Sequence, residues 1–144
     1  MTRSTPSLWT KVGSRLALTS YVPDADRRRY EVEGIFIMEE AVRLRIRFDG
    51  PAMQRVKLSK GCLVLTGETL AVYEAAHMLI HVTAADPVFA SITAAIDDQN
   101  RLELDIPRHT GSTVWTDRAR INVRITLSDP GRALSQVQRL QSHA

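Results

Sequence analysis

A single cysteine, Cys62, stands in the whole sequence. That excludes an intrachain disulfide and any zinc site built from several thiolates. Its neighbours Leu63, Val64 and Leu65 are apolar, so a buried, inert thiol is expected. Glycine is sparse, at seven residues, and none is spaced as a phosphate-cradling loop requires. A serine elbow is missing too, and nucleotide hydrolysis is not expected. Aromatic residues make up 6%, and Trp9, Tyr73 and Trp115 are too dispersed for a stacking platform on single-stranded nucleic acid. No apolar run approaches the roughly 18 residues of a membrane span, and the N-terminus has no signal-peptide core. The expectation is a soluble, cytoplasmic protein. Lysine is scarce as well, with 3 residues against 16 arginines. Arginine favours planar, bidentate contacts with carboxylate and phosphate, which allows a phosphate-bearing partner. A GC-rich coding genome accounts for the same bias.

What is present is enough for one domain. A chain of 144 residues with 44% hydrophobic and 24% charged content can bury a real core. The stretch from Ala41 to Phe48 alternates without a slip: Val42, Leu44, Ile46 and Phe48 face one way, Arg43, Arg45 and Arg47 the other. Strand side chains alternate between faces, so this is a half-buried strand. Ile121 to Leu127 repeats the pattern with Ile121, Val123, Ile125 and Leu127 inward. Two such strands, far apart in sequence, predict one sheet or barrel with a basic outer face.

In chain order, residues 1–11 read as a flexible arm, 12–128 as a β-barrel domain and 129–144 as a C-terminal helix. A first strand is expected over Ser14–Tyr21. Pro23 to Asp26 carries turn chemistry, and a second strand follows over Tyr30–Met38 with Gly34 as a bulge. Glu39-Glu40 reads as a short turn, and Asp49-Gly50-Pro51 ends the arginine strand. Gln54–Leu58, a turn at Ser59-Lys60-Gly61 and a short strand at Cys62–Leu65 come next. Thr69–Ala76 fits either period, and Met78–Thr83 reads as a strand. Asp86-Pro87 is an N-cap with proline behind it, yet the β-branched run Phe89–Ile96 favours a strand. Asp97–Asn100 is a hairpin turn into Leu102–Ile106, which Pro107 stops. His109–Ser112 reads as a loop, and Val114–Leu127 closes the sheet. Asp129 then caps a helix with Pro130 in first place and Leu134, Val137 and Leu140 on one face. The count is eight to ten short strands, which predicts a mainly β fold: a single small barrel or sandwich with a short C-terminal helix.

No catalytic set converges. His77, His81, His109 and His143 are scattered, and on a strand His77 and His81 lie about 13 Å apart, too far for one metal. Turn and strand usage explain Asp97, Asp98 and Asp105. The candidate site is therefore basic: Arg43, Arg45 and Arg47 on one strand, with Arg118, Arg120 and Arg124 on or near the last. If these strands are adjacent, they form a surface for phosphate or an acidic partner. Arg27, Arg28 and Arg29 precede a neighbouring strand in this reading. Cross-strand carboxylates such as Glu31, Glu33, Glu103 and Asp105 are placed to cancel the patch. No metal and no cofactor is expected.

Several segments together resemble the N-terminal domain of YcgR-type flagellar brake proteins, the domain called PilZN. They are Val12–Leu18, Arg29–Ile35, Lys60–Leu65 and Phe89–Ile96, then Leu102–Pro107 leading to Asp117–Arg124. The resemblance covers about residues 12–127. It implies a split-barrel, non-enzymatic bacterial regulator that works by contacting other proteins. Arg120 and Arg124 have the RxxxR spacing that PilZ domains use on cyclic di-GMP. The second PilZ signature, D/N-x-S-x-x-G, does not follow Arg124, so the resemblance implies the barrel module without that ligand. The expected function is a regulatory protein-interaction module. The alternative is a self-assembling viral structural protein, matrix- or coat-like, that contacts nucleic acid or an anionic membrane surface. Either is compatible with a homo-oligomer.

Overall fold

The computed structural model describes residues 21–50, 54–107 and 120–142. Helix α1 (Asp24–Glu33) leads into a sheet of seven antiparallel strands among the described residues: β1 (Ile35–Asp49), β2 (Gln54–Thr66), β3 (Thr69–Glu74), β4 (His77–Thr83), β5 (Thr93–Ile96), β6 (Leu102–Ile106) and β7 (Arg120–Ile125). A 3-10 helix (Pro87–Ser91) joins β4 to β5, and helix α2 (Pro130–Ser142) follows β7. The order across the sheet is β4-β3-β2-β1-β7-β6-β5, curled into a half-barrel. The mainly β fold with one C-terminal helix is thus the one expected. No helix of the described residues is long and apolar enough to cross a membrane.

The two alternating strands are neighbours. Leu44, Ile46 and Phe48 stand opposite Ile125, Val123 and Ile121, and together with β2, β3 and β6 they fill the concave face. Helix α2 closes that face with Ala133, Val137 and Leu140. Its start is fixed as expected, the Arg132 N–H donating to Asp129 Oδ1 at 3.1 Å. Its far end is held by Gln141, whose amide donates to the carbonyls of Phe89 and Ile92 at 3.2 and 2.6 Å.

Several local expectations are corrected. Pro23–Asp26 is not a turn and Tyr30 is not in a strand: Asp24–Glu33 is helical. Asp24 and Asp26 in the first turn favour the positive helix end, and Asp26 pairs with Arg29 one turn on. Gly34, at φ +89°, ends the helix instead of making a bulge. Glu39-Glu40 is no turn either. It lies inside β1 at an irregularity between Glu39 and Val42, where Ala41 has φ +56°. Ser59-Lys60-Gly61 is continuous strand. The run Phe89–Ile96 divides into the 3-10 helix, whose Asp86 carboxylate accepts from Val88 N–H at 3.0 Å, and the four-residue β5. The arm at 1–11, the strand expected from Ser14 (save Tyr21, which sits in a bend), and the loop and strand start at 109–119 lie outside the described residues.

Helix α1 covers only half of the convex face. Its one buried side chain is Tyr30, packed with Val22, Cys62, Val64, Ala71 and Tyr73. Tyr73 donates its hydroxyl proton to Asp26 at 2.8 Å, so the 2.7 Å contact between the phenols is Tyr30 donating to Tyr73. At the other end of the helix, Glu33 Oε1 accepts from the buried Thr66 and Thr69 hydroxyls, both at 2.7 Å. Such bonds to a charged group contribute roughly 1.5–3 kcal/mol each.

His81 lies beside this cluster, stacked on Tyr30 with ring centroids 6.5 Å apart. Burial first, then the charge of Arg29, lowers its pKa from 6.5, against the weaker pull of Glu33 and Asp26. A histidine whose folded pKa is depressed binds its proton more readily when unfolded. Its contribution is therefore complete above about pH 6.5 and lost as pH falls through that value toward the folded pKa. The melting temperature of the protein is expected to fall more steeply between about pH 7 and pH 5 than that of His81→Gln. Equal slopes in a differential scanning series would remove His81 as the cause.

Candidate binding face on the convex sheet

Residues that alternate with the core form the half of the convex face that α1 leaves open. Register lays them out in rows across β6, β7, β1 and β2. One row is Glu103, Arg124, Arg45 and Leu58; the next is Asp105, Asn122, Arg47 and Val56. At one end Arg43 faces Lys60 and, on its other side, accepts the Thr126 N–H at its carbonyl. At the other end Asp49 separates Arg120 from Gln54. Acid thus lies on β6, base in the middle and apolar side chains on β2.

Geometry splits the expected arginine patch in two. Arg47 pairs with Asp49 at 3.1 Å, and Arg120 with Asp105 at 2.6 Å. Arg124 reaches Glu103 at 3.4 Å and Asp97 at 3.8 Å. Asn122, 1% exposed, donates to both Glu103 and Asp105 and ties the two carboxylates together. Asp97 also binds Arg101 at 2.8 Å. Burial pushes the Asp97 carboxyl up, but the Arg101 and Gln99 N–H groups and the Arg101 guanidinium hold it below the usual range. Asp49 is likewise held low, by Gln54 and then Arg47. Carboxylates, from β6 for Arg120 and Arg124 and from β1 itself for Arg47, therefore neutralise half of the patch.

The other half is not neutralised. Arg43, Arg45 and Lys60 have no ion pair among the described residues. With Leu58, Arg101, Arg124 and Thr126 they line an open cavity of about 550 Å³. Beside them Leu58 is 80% exposed and Val56 47%, whereas Leu44 and Ile46 on the concave side of β1 are buried. Unpaired cations thus stand next to exposed aliphatics on this part of the face. Arg118 lies outside the described residues. Arg27, Arg28 and Arg29 belong to α1; Arg27 pairs with Glu40 and contributes nothing to this face. Lys60, Leu58 and Val56 were missed as site residues because glycine at position 61 read as a turn. Continuing the alternation of Val56 and Leu58 through Lys60 would have found them.

His77 and His81 sit on β4, outside the rows described above, and no group of three or more metal-ligating side chains occurs among the described residues. Cys62 lies under α1, with burial the main cause of a thiol pKa pushed up to about 11. Set against known proteins, the chain matches no family model and no curated sequence.

Proposed function

We propose that the protein is a non-enzymatic regulatory module that holds an acidic protein partner on its convex face through Arg43, Arg45 and Lys60. The observation that supports this reading is the imbalance just described: these three cations stand together around one cavity without counter-charge, while Arg47, Arg120 and Arg124 are neutralised. The exposed Leu58 and Val56 next to them suit a chain that carries both carboxylates and aliphatic groups. A nucleic acid strand repeats its charge at every residue and needs a longer basic track than this. Cyclic di-GMP is not part of the proposal. Arg120 and Arg124 have the required spacing but are engaged by carboxylates, and four strand residues set them about 13 Å apart. The resemblance to flagellar brake proteins implies the same kind of activity, exerted in the cytoplasm by contact with another protein.

Fluorescence anisotropy with a labelled 12-residue peptide of alternating glutamate and valine, and with a 12-nucleotide mixed RNA, tests the proposal. The peptide is expected to bind and the RNA to bind at least tenfold more weakly. Arg43→Glu/Arg45→Glu should weaken the peptide at least tenfold, about 1.4 kcal/mol or more. Removing the neutral pair Arg47–Asp49 whole, as Arg47→Gln/Asp49→Asn, should change it only about twofold, since that arginine's charge is already balanced. Light scattering should show a monomer or dimer at low and physiological salt. Large assemblies, or RNA binding tighter than the peptide and lost with salt, would overturn the proposal in favour of a coat- or matrix-like protein.

A further inference from the structure

Strand β2 is longer than the neighbour on one of its sides. β3 pairs with it only over Gly61–Leu65, whereas β1 pairs with it all the way to Gln54. From Gln54 to Ser59 the β3 side of β2 therefore has no partner strand among the described residues. The direction of its polar groups follows from one bond: the Lys60 carbonyl accepts the Ala75 N–H at 2.7 Å, so Lys60 turns its main chain toward the β3 side. In an antiparallel strand this direction alternates by residue. Val56 and Leu58 accordingly aim N–H and C=O outward at the open edge, while Arg55, Lys57 and Ser59 bond to β1. The same two residues expose their side chains beside Arg43, Arg45 and Lys60.

We infer that this edge takes up an extended acidic peptide as an eighth strand, in line with β3. The inference rests on the proposed function and deepens it, giving the partner a conformation. Main-chain bonds to Val56 and Leu58 supply the pairing, and the peptide's carboxylates reach the unpaired cations on the convex side. The charge decides the occupant. A second copy pairing two-fold across the same edge, with Val56 opposite its own counterpart, would set Arg55 against Lys57, and like charges opposite one another are destabilising. Arg55 has no ion pair among the described residues to relieve this, and Lys57 has Glu74 alone. An acidic strand brings the opposite sign to the unpaired cations instead.

Two probes test this inference independently of charge. In the first, the glutamate–valine peptide is N-methylated at alternate residues, which removes its donors but keeps its charge. In the second, the protein carries Leu58→Pro, which deletes an N–H on the open edge and leaves every bond to β1 in place. Each is expected to weaken binding at least tenfold, with the thermal melt of Leu58→Pro checked against the parent. If both leave affinity unchanged while Arg43→Glu/Arg45→Glu abolishes it, the edge inference is wrong and the acidic-partner reading stands. If neither peptide form binds the parent protein, both are wrong. A dimer by light scattering that Leu58→Pro dissolves would also overturn the inference, giving the edge to a second copy.

Discussion

Replacing Gly61 by alanine is expected to cost about 3 kcal/mol or more, at the upper end of overpacking effects. The reason is local and severe. A Cβ at this position would lie 1.7 Å from the Tyr73 carbonyl oxygen, 2.7 Å from its carbon and 2.8 Å from Leu44 Cδ1. Leucine can swing away, but the Tyr73 carbonyl is main chain in β3, one register step from the Gly61–Glu74 pair. Relieving the clash means moving β3 off β2, and β3 carries both Val72 of the concave core and Tyr73 under α1. Gly131 provides the contrast, because its Cβ would meet only Asp129 Oδ1, at 3.8 Å. Gly131→Ala should be neutral or stabilise by roughly 0.5–1 kcal/mol, as glycine to alanine does in a helix. Urea denaturation of both variants reads the difference. A Gly61→Ala midpoint equal to the parent's would mean that β2 and β3 do not approach as closely as described.

Gly61 also shows why parts of the fold were legible in the sequence and others were not. Period-two alternation identified β1 and β7 because a half-buried strand must alternate, and those two turned out to be hydrogen-bonded neighbours. Asp49-Gly50-Pro51 marked the far end of β1 and Asp97–Asn100 the β5–β6 hairpin for the same kind of reason: chain reversals favour particular residues. At Gly61 the demand is different. Its glycine serves close approach of two strands, which local sequence does not distinguish from a turn. The β3–β4 hairpin fails in the opposite way. It turns on Ala75-Ala76 with Ala75 at φ +54°, a position that ordinarily attracts glycine or asparagine. Tertiary pairing imposes the turn, so no local signal announces it.

Helix α1 was hidden because it has almost no apolar stripe: one tyrosine is buried and Val32 is 90% exposed. Periodicity had nothing to detect. Its acidic first turn and the glycine after its last residue were the readable signs. The candidate site divides along the same line. Alternation placed Arg43, Arg45 and Arg47 on one face, while the register that sets Arg124 opposite Arg45 came only with the structure. Which arginine keeps a free charge depends on Asp49 two residues along the same strand for Arg47, and on Glu103 and Asp105 in β6 for Arg124 and Arg120, a register that a single sequence does not give.

The dependence of α1 on Tyr30 makes it the second place where one substitution should have a large effect. Tyr30→Ala removes the only buried side chain of the helix, together with the proton that Tyr73 accepts, and is expected to cost about 3–5 kcal/mol. Tyr30→Phe keeps the ring and loses only the hydroxyl, leaving the Tyr73 oxygen one partner short, for roughly 1–2 kcal/mol. The sequence supplies its own reporter. Cys62 is the one cysteine in the chain, fully buried in the cluster that Tyr30 covers, with burial the main cause of its raised pKa. In the parent protein it should react with a disulfide reagent only on the timescale of opening. In Tyr30→Ala it should react at least a hundredfold faster, because 3 kcal/mol is about two decades in an opening equilibrium. The concave core lies on the other face of the sheet and includes neither residue, so far-ultraviolet circular dichroism should keep its strand signal while the thiol becomes reactive. Labelling of Cys62 as slow in Tyr30→Ala as in the parent would show that something other than this tyrosine holds the helix down. Loss of thiol protection and strand signal together would make the two faces one cooperative unit, with α1 a condition of the binding face beside it.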